Sequence, residues 1–340
     1  MDSLTQIVLG AACGQVILGK KIGNKALLFG AIGGTIPDLD VFVGRWLYTN
    51  EIQAMAFHRG FMHSIFFAIA GAFVFGWLTH KLYNSGKRTK TTTLKDWITL
   101  FFWAIFTHPL LDCFTPYGTQ LFAPFSDYRV ALNTISVVDP LYTLPFLISM
   151  IVVSCFKKSN SKRFLWTRIG IFSSSFYLLF TVGNKLYMDA VFKRSFEKAG
   201  ISIHRFSAQP TILNTFLWYS VAESANEYHL AFYSLFDHSD ISEKIITVPK
   251  NHDLLDLHSE NLQTLIWFSN GYFNLSPGEK AGTYTYVDLR YPMLNPEDEK
   301  TAVFKFALTQ QNNQWNMLPF AGNPPSKKDF EVFLNRVKGI

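Results

Sequence analysis

His108 and Asp112 stand four residues apart in "FTHPLLDC". In a helix that spacing puts an imidazole and a carboxylate on one face, about one turn apart. From there both could bind one metal ion. Three more stretches carry the same residue types: "TIPDLDV" with Asp38 and Asp40, "FHRGFMHS" with His58, Arg59 and His63, and "VVDPLY" with Asp139. Imidazole and carboxylate donors together suit a divalent ion, zinc first, with manganese or iron as alternatives. The predicted metal ligands are therefore His58, His63, His108, Asp112, Asp38 and Asp40. A set this rich in carboxylates also fits two ions sharing a bridging aspartate. Such a centre activates water and polarises a phosphoryl or carbonyl oxygen. Asp38 or Asp40 would then serve as general base.

The spacings also constrain the backbone. His58 and His63 are five apart with Gly60 between them. One continuous helix would not superimpose them, so His58 is expected on a turn and His63 inside the first helical turn. Asp38 and Asp40 share a side only if the chain is extended there, and Pro37 biases Ile36 away from helix. Pro109 is expected to kink its helix and free a carbonyl, which is tolerated beside a polar cavity.

The elements that must position these residues read as membrane helices. Hydrophobic residues make up 49% of the 340 and charged residues 16%, and the apolar excess lies in residues 1–187. Six apolar helices are predicted, at roughly 4–19, 26–43, 61–82, 97–113, 137–156 and 164–186. A full span needs ~20 residues, so the first two are expected to be tilted, short or partly re-entrant. Their Gly and Ala content favours close helix–helix contact. No basic residue precedes the first run, which reads as a retained helix and not a signal peptide.

Lys20, Lys21 and Lys25 follow the first helix. Lys81, Lys87, Arg88, Lys90 and Lys95 follow the third, and Lys157, Lys158, Lys162 and Arg163 follow the fifth. The positive-inside rule makes these loops cytoplasmic. The other loops, and everything after the sixth helix, are then extracytoplasmic. All the acids and imidazoles named above fall on that outer face, and His80, at the opposite end of the third helix, does not. An acid at membrane depth costs ~2.5–3.5 kcal/mol on insertion scales. Each residue alone reads as readily as a cap or an interfacial side chain, but several converging on one face need mutual partners or a metal.

The 114–136 loop brings Tyr117, Gln120, Asp127 and Arg129 to the same side. Arg129 and Arg59 are candidate contacts for an anionic substrate group. The plainer alternatives are an Arg129–Asp127 pair, and an Arg59 that points to the headgroup layer or pairs with an outer carboxylate.

Residues 188–340 change character. "ILNTFLWYSVAE" and "EYHLAFYSLF", linked by "SAN", then "GTYTYVDLRYPML" and "AVFKFALTQQNNQWNMLPF" with an Asn-Asn turn, are strand and hairpin signals. The fold class is thus a polytopic α-helical membrane domain (1–187) followed by a small antiparallel β-rich extracytoplasmic domain (188–340). That domain is expected to hold few buried charges and no metal ligands. Cys13, Cys113 and Cys155 form no CxxC pair, so neither a disulfide framework nor a zinc–thiolate site is indicated. The net charge of +6 is explained by membrane orientation and does not argue for nucleic acid.

"MDSLTQIVLGAACG", "GTIPDLD", "HRGFMHS", "HPLLDCFTPYGTQLFAPFSD" and "DPLYTLP" together resemble the YdjM-like membrane-bound predicted metal-dependent hydrolases of bacteria and archaea. The resemblance covers about residues 1–150 in detail. It implies a multi-pass protein of the cell (inner) membrane with a metal site, and it names no substrate. Many relatives carry His where this chain has Gln6, so the chain either has one ligand fewer or uses the Gln6 amide. More distantly, the His/Asp set is similar to those of zinc-dependent phospholipase C and P1-type nucleases, which tilts the substrate toward phosphoesters.

Two functional classes fit. One is a hydrolase that cleaves a phosphoester or lipid-linked substrate at headgroup depth with metal-activated water. The other is a metal- or lipid-binding scaffold whose outer domain meets envelope partners. A transporter fits less well, because the sequence shows no clear inverted repeat and no ionisable residue at mid-depth. Oligomeric state is not legible in the sequence.

Overall fold

The computed structural model describes residues 1–278, 280–293, 301–311, 314–318 and 326–340. It divides into two compact units, Met1–Val43 with Phe57–Thr181, and Gly44–Ala56 with Val182–Ile340. The sequence had assigned 44–56 to a loop of the membrane domain and set the boundary at 187/188.

The first unit is helical. Its elements are α1 (Ser3–Ile22), α2 (Asn24–Thr35), a 3-10 turn (Pro37–Leu39) leading into α3 (Asp40–Leu47), the end of α4 (Glu51–Phe57), a 3-10 turn (Phe61–His63), α5 (Ile65–Tyr83), α6 (Leu94–Asp112), α7 (Pro140–Cys155) and the first part of α8 (Ser161–Lys198). Every predicted apolar helix is present, with two corrections. The second is broken at Pro37, with a bend of 43°. The third starts at Ile65, because residues 61–63 form the 3-10 turn and Ser64 caps the helix by accepting from the Phe67 N–H at 3.0 Å. By length and composition α5 and α8 can each cross a membrane, and the bent α2–α3 pair makes a third span if read as one.

Caps fix the other starts. Asp2 accepts from the Thr5 N–H, and Thr93 and Asp96 form a capping box on α6. Asp139, read from sequence as a contributor to the polar face, caps α7 by accepting from the Leu141 and Tyr142 N–H groups and also takes the Tyr177 hydroxyl at 2.9 Å. Arg163 is another correction, because it is not a loop charge in water. It is buried and donates to Gln15, Asn24 and the Val153 and Phe156 carbonyls, closing the C-terminal end of α7.

The α1–α2 hairpin packs backbone to backbone through Gly10, Gly14, Gly30 and Gly34. A Cβ on Gly30 would lie 2.2 Å from the Gly10 carbonyl oxygen, and one on Gly14 would lie 2.0 Å from that of Ala26. The small-residue packing expected from the sequence is therefore literal, and it sets how Gln6 and the chain entering Asp38 approach each other.

The second unit holds two antiparallel four-stranded sheets. One is β1 (Arg205–Pro210), β2 (Leu217–Glu223), β3 (Glu227–Ser234) and β4 (Ile245–Pro249), in that order. The other is β5 (Phe273–Pro277), β6 (Thr283–Asp288), β7 (Lys305–Gln311) and β8 (Gln314–Leu318). The predicted "SAN" link joins β2 to β3 with Val221 opposite Leu230. The predicted Asn312–Asn313 turn lies outside the described residues. The reading of this region as β alone missed α9 (Glu260–Phe268) and α10 (Lys327–Val337). Ile52 of α4 is buried with Leu262, Leu265, Phe273, Tyr286 and Trp315, and Asn50 donates to the Trp315 carbonyl and Asn316. Asp288 and Arg290 form a buried pair, with one contact at 2.6 Å.

Candidate metal centre

The broken second helix and the late start of α5 build the centre. Ile36 is helical (φ −55°, ψ −44°), and Pro37–Leu39 continues as a 3-10 turn, so the expected extended backbone is absent here. Two residues of tight helix turn a side chain by well over a right angle. Asp38 and Asp40 therefore reach opposite edges of the His63 ring. Asp38 Oδ1 is 3.5 Å from His63 Nε2, while Asp40 Oδ2 is 3.0 Å from His63 Nδ1. His63 is delivered by the turn before α5. That turn follows Arg59, which has a left-handed backbone (φ 63°).

α6 supplies the rest. His108 Nε2 is 3.4 Å from Asp38 Oδ1 and 3.5 Å from Asp112 Oδ2, and Asp112 Oδ2 is 3.6 Å from His63 Nε2. One atom from each of Asp38, His63 and His108 lies within 4.8 Å of the others, so these three form a candidate metal site. Ligands held tetrahedrally at about 2.0–2.2 Å from one ion are about 3.3–3.6 Å apart. The four separations between the two Nε2 atoms and the Asp38 and Asp112 oxygens fit that range.

The donor chemistry fits too. His108 Nδ1 is 2.6 Å from the Gly34 carbonyl oxygen, and His63 Nδ1 faces Asp40. The His108 ring can donate its Nδ1–H backward, leaving its Nε2 lone pair aimed inward, as metal-bound histidines do; His63 Nδ1 lies close to Asp40 but without hydrogen-bond geometry. Both Nε2 atoms and Asp112 Oδ2 are buried without a hydrogen-bond partner among the described residues. Orphaned buried polar atoms are costly, and three converging on one point are what a cation would satisfy.

The predicted ligands thus fall into two ranks. Asp38, His63 and His108 meet directly, with Asp112 against both nitrogens. Asp40 and His58 stand behind, His58 Nδ1 lying 2.8 Å from Asp40 Oδ1 and Asp40 Oδ2 accepting the Arg59 N–H.

Arg59 does not point outward. It is buried, with Nε 3.2 Å from Asp112 Oδ2 and a donated bond to Thr115 at 2.9 Å. Asp112 Oδ1 receives the Met1 amino group and, at 3.0 Å, the Gln6 amide. Gln6 therefore orients Asp112 through its N–H₂ group. Arg129 donates to the Tyr117 and Gly118 carbonyls, and its guanidinium lies 5.0 Å over the Tyr117 ring. Sequence reasoning missed Thr115 and the Gly34 carbonyl, neither of which carries a spacing signal.

Two histidines of the second unit, His252 and His229, are otherwise occupied. His252 stacks on Phe273 at 4.1 Å and its Nε2 meets the Phe273 carbonyl, while His229 sits between Thr247 and Ser224.

A stretch of 162 residues is 27% identical to "Uncharacterized protein YfhP" of Bacillus subtilis (strain 168), covering 45% of this chain and 46% of that protein. The chain thus spans less than half the length of that curated relative. No solved structure matches. The YdjM inner membrane protein family matches residues 1–188, which contain the whole His/Asp centre. The chain belongs to the YdjM inner membrane protein family.

Proposed function

We propose that this protein is a membrane-bound hydrolase that holds one divalent ion, zinc by its donor set, at Asp38, His63 and His108, with Asp112 as the adjoining carboxylate. Its substrate would be a phosphoester carried by a lipid or lipid-linked molecule. The observation that carries this reading is the convergence of two partnerless imidazole nitrogens with Asp38 Oδ1. Asp38 is 25% exposed while both histidines are sealed. An open edge suits a catalytic site better than a closed structural one.

A bound ion would supply Lewis acidity and lower the pKa of a coordinated water. The protein's residues divide the remaining work. Asp40, fully buried with both oxygens committed, positions His63 and His58 and does not touch substrate. His58, 22% exposed and oriented by Asp40, is the group placed to carry a proton at the mouth. Arg59 and Gln6 hold Asp112. Only Asp38, of the two aspartates named from sequence as candidate bases, has an exposed edge.

Metal analysis of purified protein, beside turnover of bis(p-nitrophenyl) phosphate and of phospholipid, tests this. Turnover is expected with about one ion per chain, lost with chelator and restored by zinc. A full complement of metal with no turnover on any phosphoester would favour the scaffold reading.

The loop charges support an outer location for the site's mouth and the second unit. In intact cells carrying a cysteine-free variant, an impermeant maleimide should label Asn226→Cys and spare Ser85→Cys and Ser159→Cys. The reverse pattern would overturn the orientation.

A further inference from the structure

Three aromatics crowd one short loop. Phe122, Phe125 and Tyr128 are all exposed, Phe125 at 84%. Single exposed apolar side chains are ordinary, but three within seven residues, on a loop that is otherwise tied down, call for a partner. The ties are specific. The Gln120 N–H donates to the Arg59 carbonyl at 3.0 Å, and the Ile65 N–H donates to the Leu121 carbonyl at 3.1 Å. Ile65 is the first residue of α5. The loop is thus fastened to the very end of a helix able to cross a membrane.

That end can be placed in depth. α5 has 19 residues, about 28 Å at 1.5 Å each, close to the ~30 Å hydrocarbon core. Its exposed residues Phe66, Ile69, Phe73 and Trp77 recur at helical spacing and form one apolar stripe. At the far end Lys81 lies 5.2 Å over the Trp77 ring, an aromatic and basic pairing typical of a membrane–water interface. At the near end the stripe does not stop. Phe66 meets Phe61 at 6.1 Å and Phe125 at 6.2 Å, so the loop continues the same apolar surface.

We infer that the 119–130 loop is seated in the lipid bilayer, with Phe122, Phe125 and Tyr128 at the boundary between headgroups and acyl chains. Its partner is the lipid surface itself. His63 lies two residues before Ile65, so the loop also fixes the metal centre at headgroup depth. Combined with the hydrolase reading, this selects substrates whose apolar part stays in the membrane while the scissile group stands at the surface. The lipid contact itself does not rest on that reading.

The test places an environment-sensitive nitrobenzoxadiazole label on Phe125→Cys, in a cysteine-free background, with the protein in phosphatidylcholine vesicles containing some phosphatidylglycerol. The same label on Ser85→Cys is the water-exposed reference. Emission from position 125 should be blue-shifted from the reference. Lipids with a nitroxide near the headgroup should remove most of it, deep-chain nitroxides less, and iodide little. Phe122→Cys serves if the first variant does not fold. Emission like that of the Ser85→Cys label, quenched by iodide and indifferent to nitroxide lipids, would overturn the inference. So would a blue-shifted label that no nitroxide lipid quenches, because the loop would then be covered by protein.

Discussion

His108→Ala should leave the purified protein with almost no bound metal. Alanine removes one of the two inward Nε2 donors and leaves His63 and Asp38 as the remaining members of the group. Loss of an outer partner of a ligand typically costs 10–100-fold in affinity or activity, so loss of a ligand itself should cost at least that. His63→Ala should match it, and Asp40→Asn should fall in the milder ~10–100-fold range because it removes only the carboxylate behind His63. Elemental analysis of each variant after dialysis against trace zinc reads the outcome. His252→Ala and His258→Ala should keep full metal. If either of these lost it, or if His108→Ala kept it, the centre would have to be sought elsewhere.

Gly30→Val should be comparably damaging although residue 30 touches no ligand. Even an alanine Cβ there would lie 2.2 Å from the Gly10 carbonyl oxygen, and neither backbone can give way as a side chain end would. Overpacking a core costs typically ~1–3 kcal/mol and occasionally more; valine against a helix backbone belongs at the upper end. α1 and α2 must move apart, carrying Gln6 from Asp112 and shifting the Gly34 carbonyl from His108 Nδ1. Expected readouts are a lowered unfolding temperature in detergent and reduced metal content, with little recovery on adding zinc. Gly183→Val is the control, because a Cβ there meets nothing within 4 Å. Equal behaviour of the two variants would remove close α1–α2 packing as a requirement of the site.

Much of the candidate site was legible because its signals are local. The His108–Asp112 spacing, the paired acids around Pro37 and the histidines flanking Gly60 are chemistry written within one or two helical turns. What the sequence hid was rank. Six residues looked equivalent, and only three-dimensional placement shows Asp40 behind His63 and Asp38 in front of it. The local backbone misled for a related reason. Pro37 lowers the helical preference of the residue before it, yet Ile36 is buried against the α5–α6 core, and packing outweighed that preference.

Of the two readings of Arg59, a cation in the headgroup layer or a partner of an outer carboxylate, the second holds, with Asp112 as the carboxylate. The burial of Arg59 depends on Asp112, 53 positions later. Of the strands of the second unit, β2, β3, β6, β7 and β8 were announced by dense aromatic and β-branched runs, while β1, β4 and β5 were not. α9 and α10 were overlooked beneath them, although Ser259 before "ENLQTLIWF" and the Ser326–Asp329 capping box are helix-start signals.

The excursion of residues 44–56 into the second unit bears on how the chain is threaded. Ile52 shares one core with Leu262 and Trp315, and Asn50 is bonded across the same seam. A bilayer cannot pass through the middle of such a core. If the chain is threaded through a membrane between Phe57 and Thr181, the number of crossings in that interval is therefore expected to be even. Four helices, α5 to α8, lie in or begin within that interval. Adding or losing a single crossing would leave Ile52 and Trp315 on opposite faces of the membrane, and the second unit could not close. On that threading, parity would be set by a core assembled from residues synthesised more than two hundred positions apart.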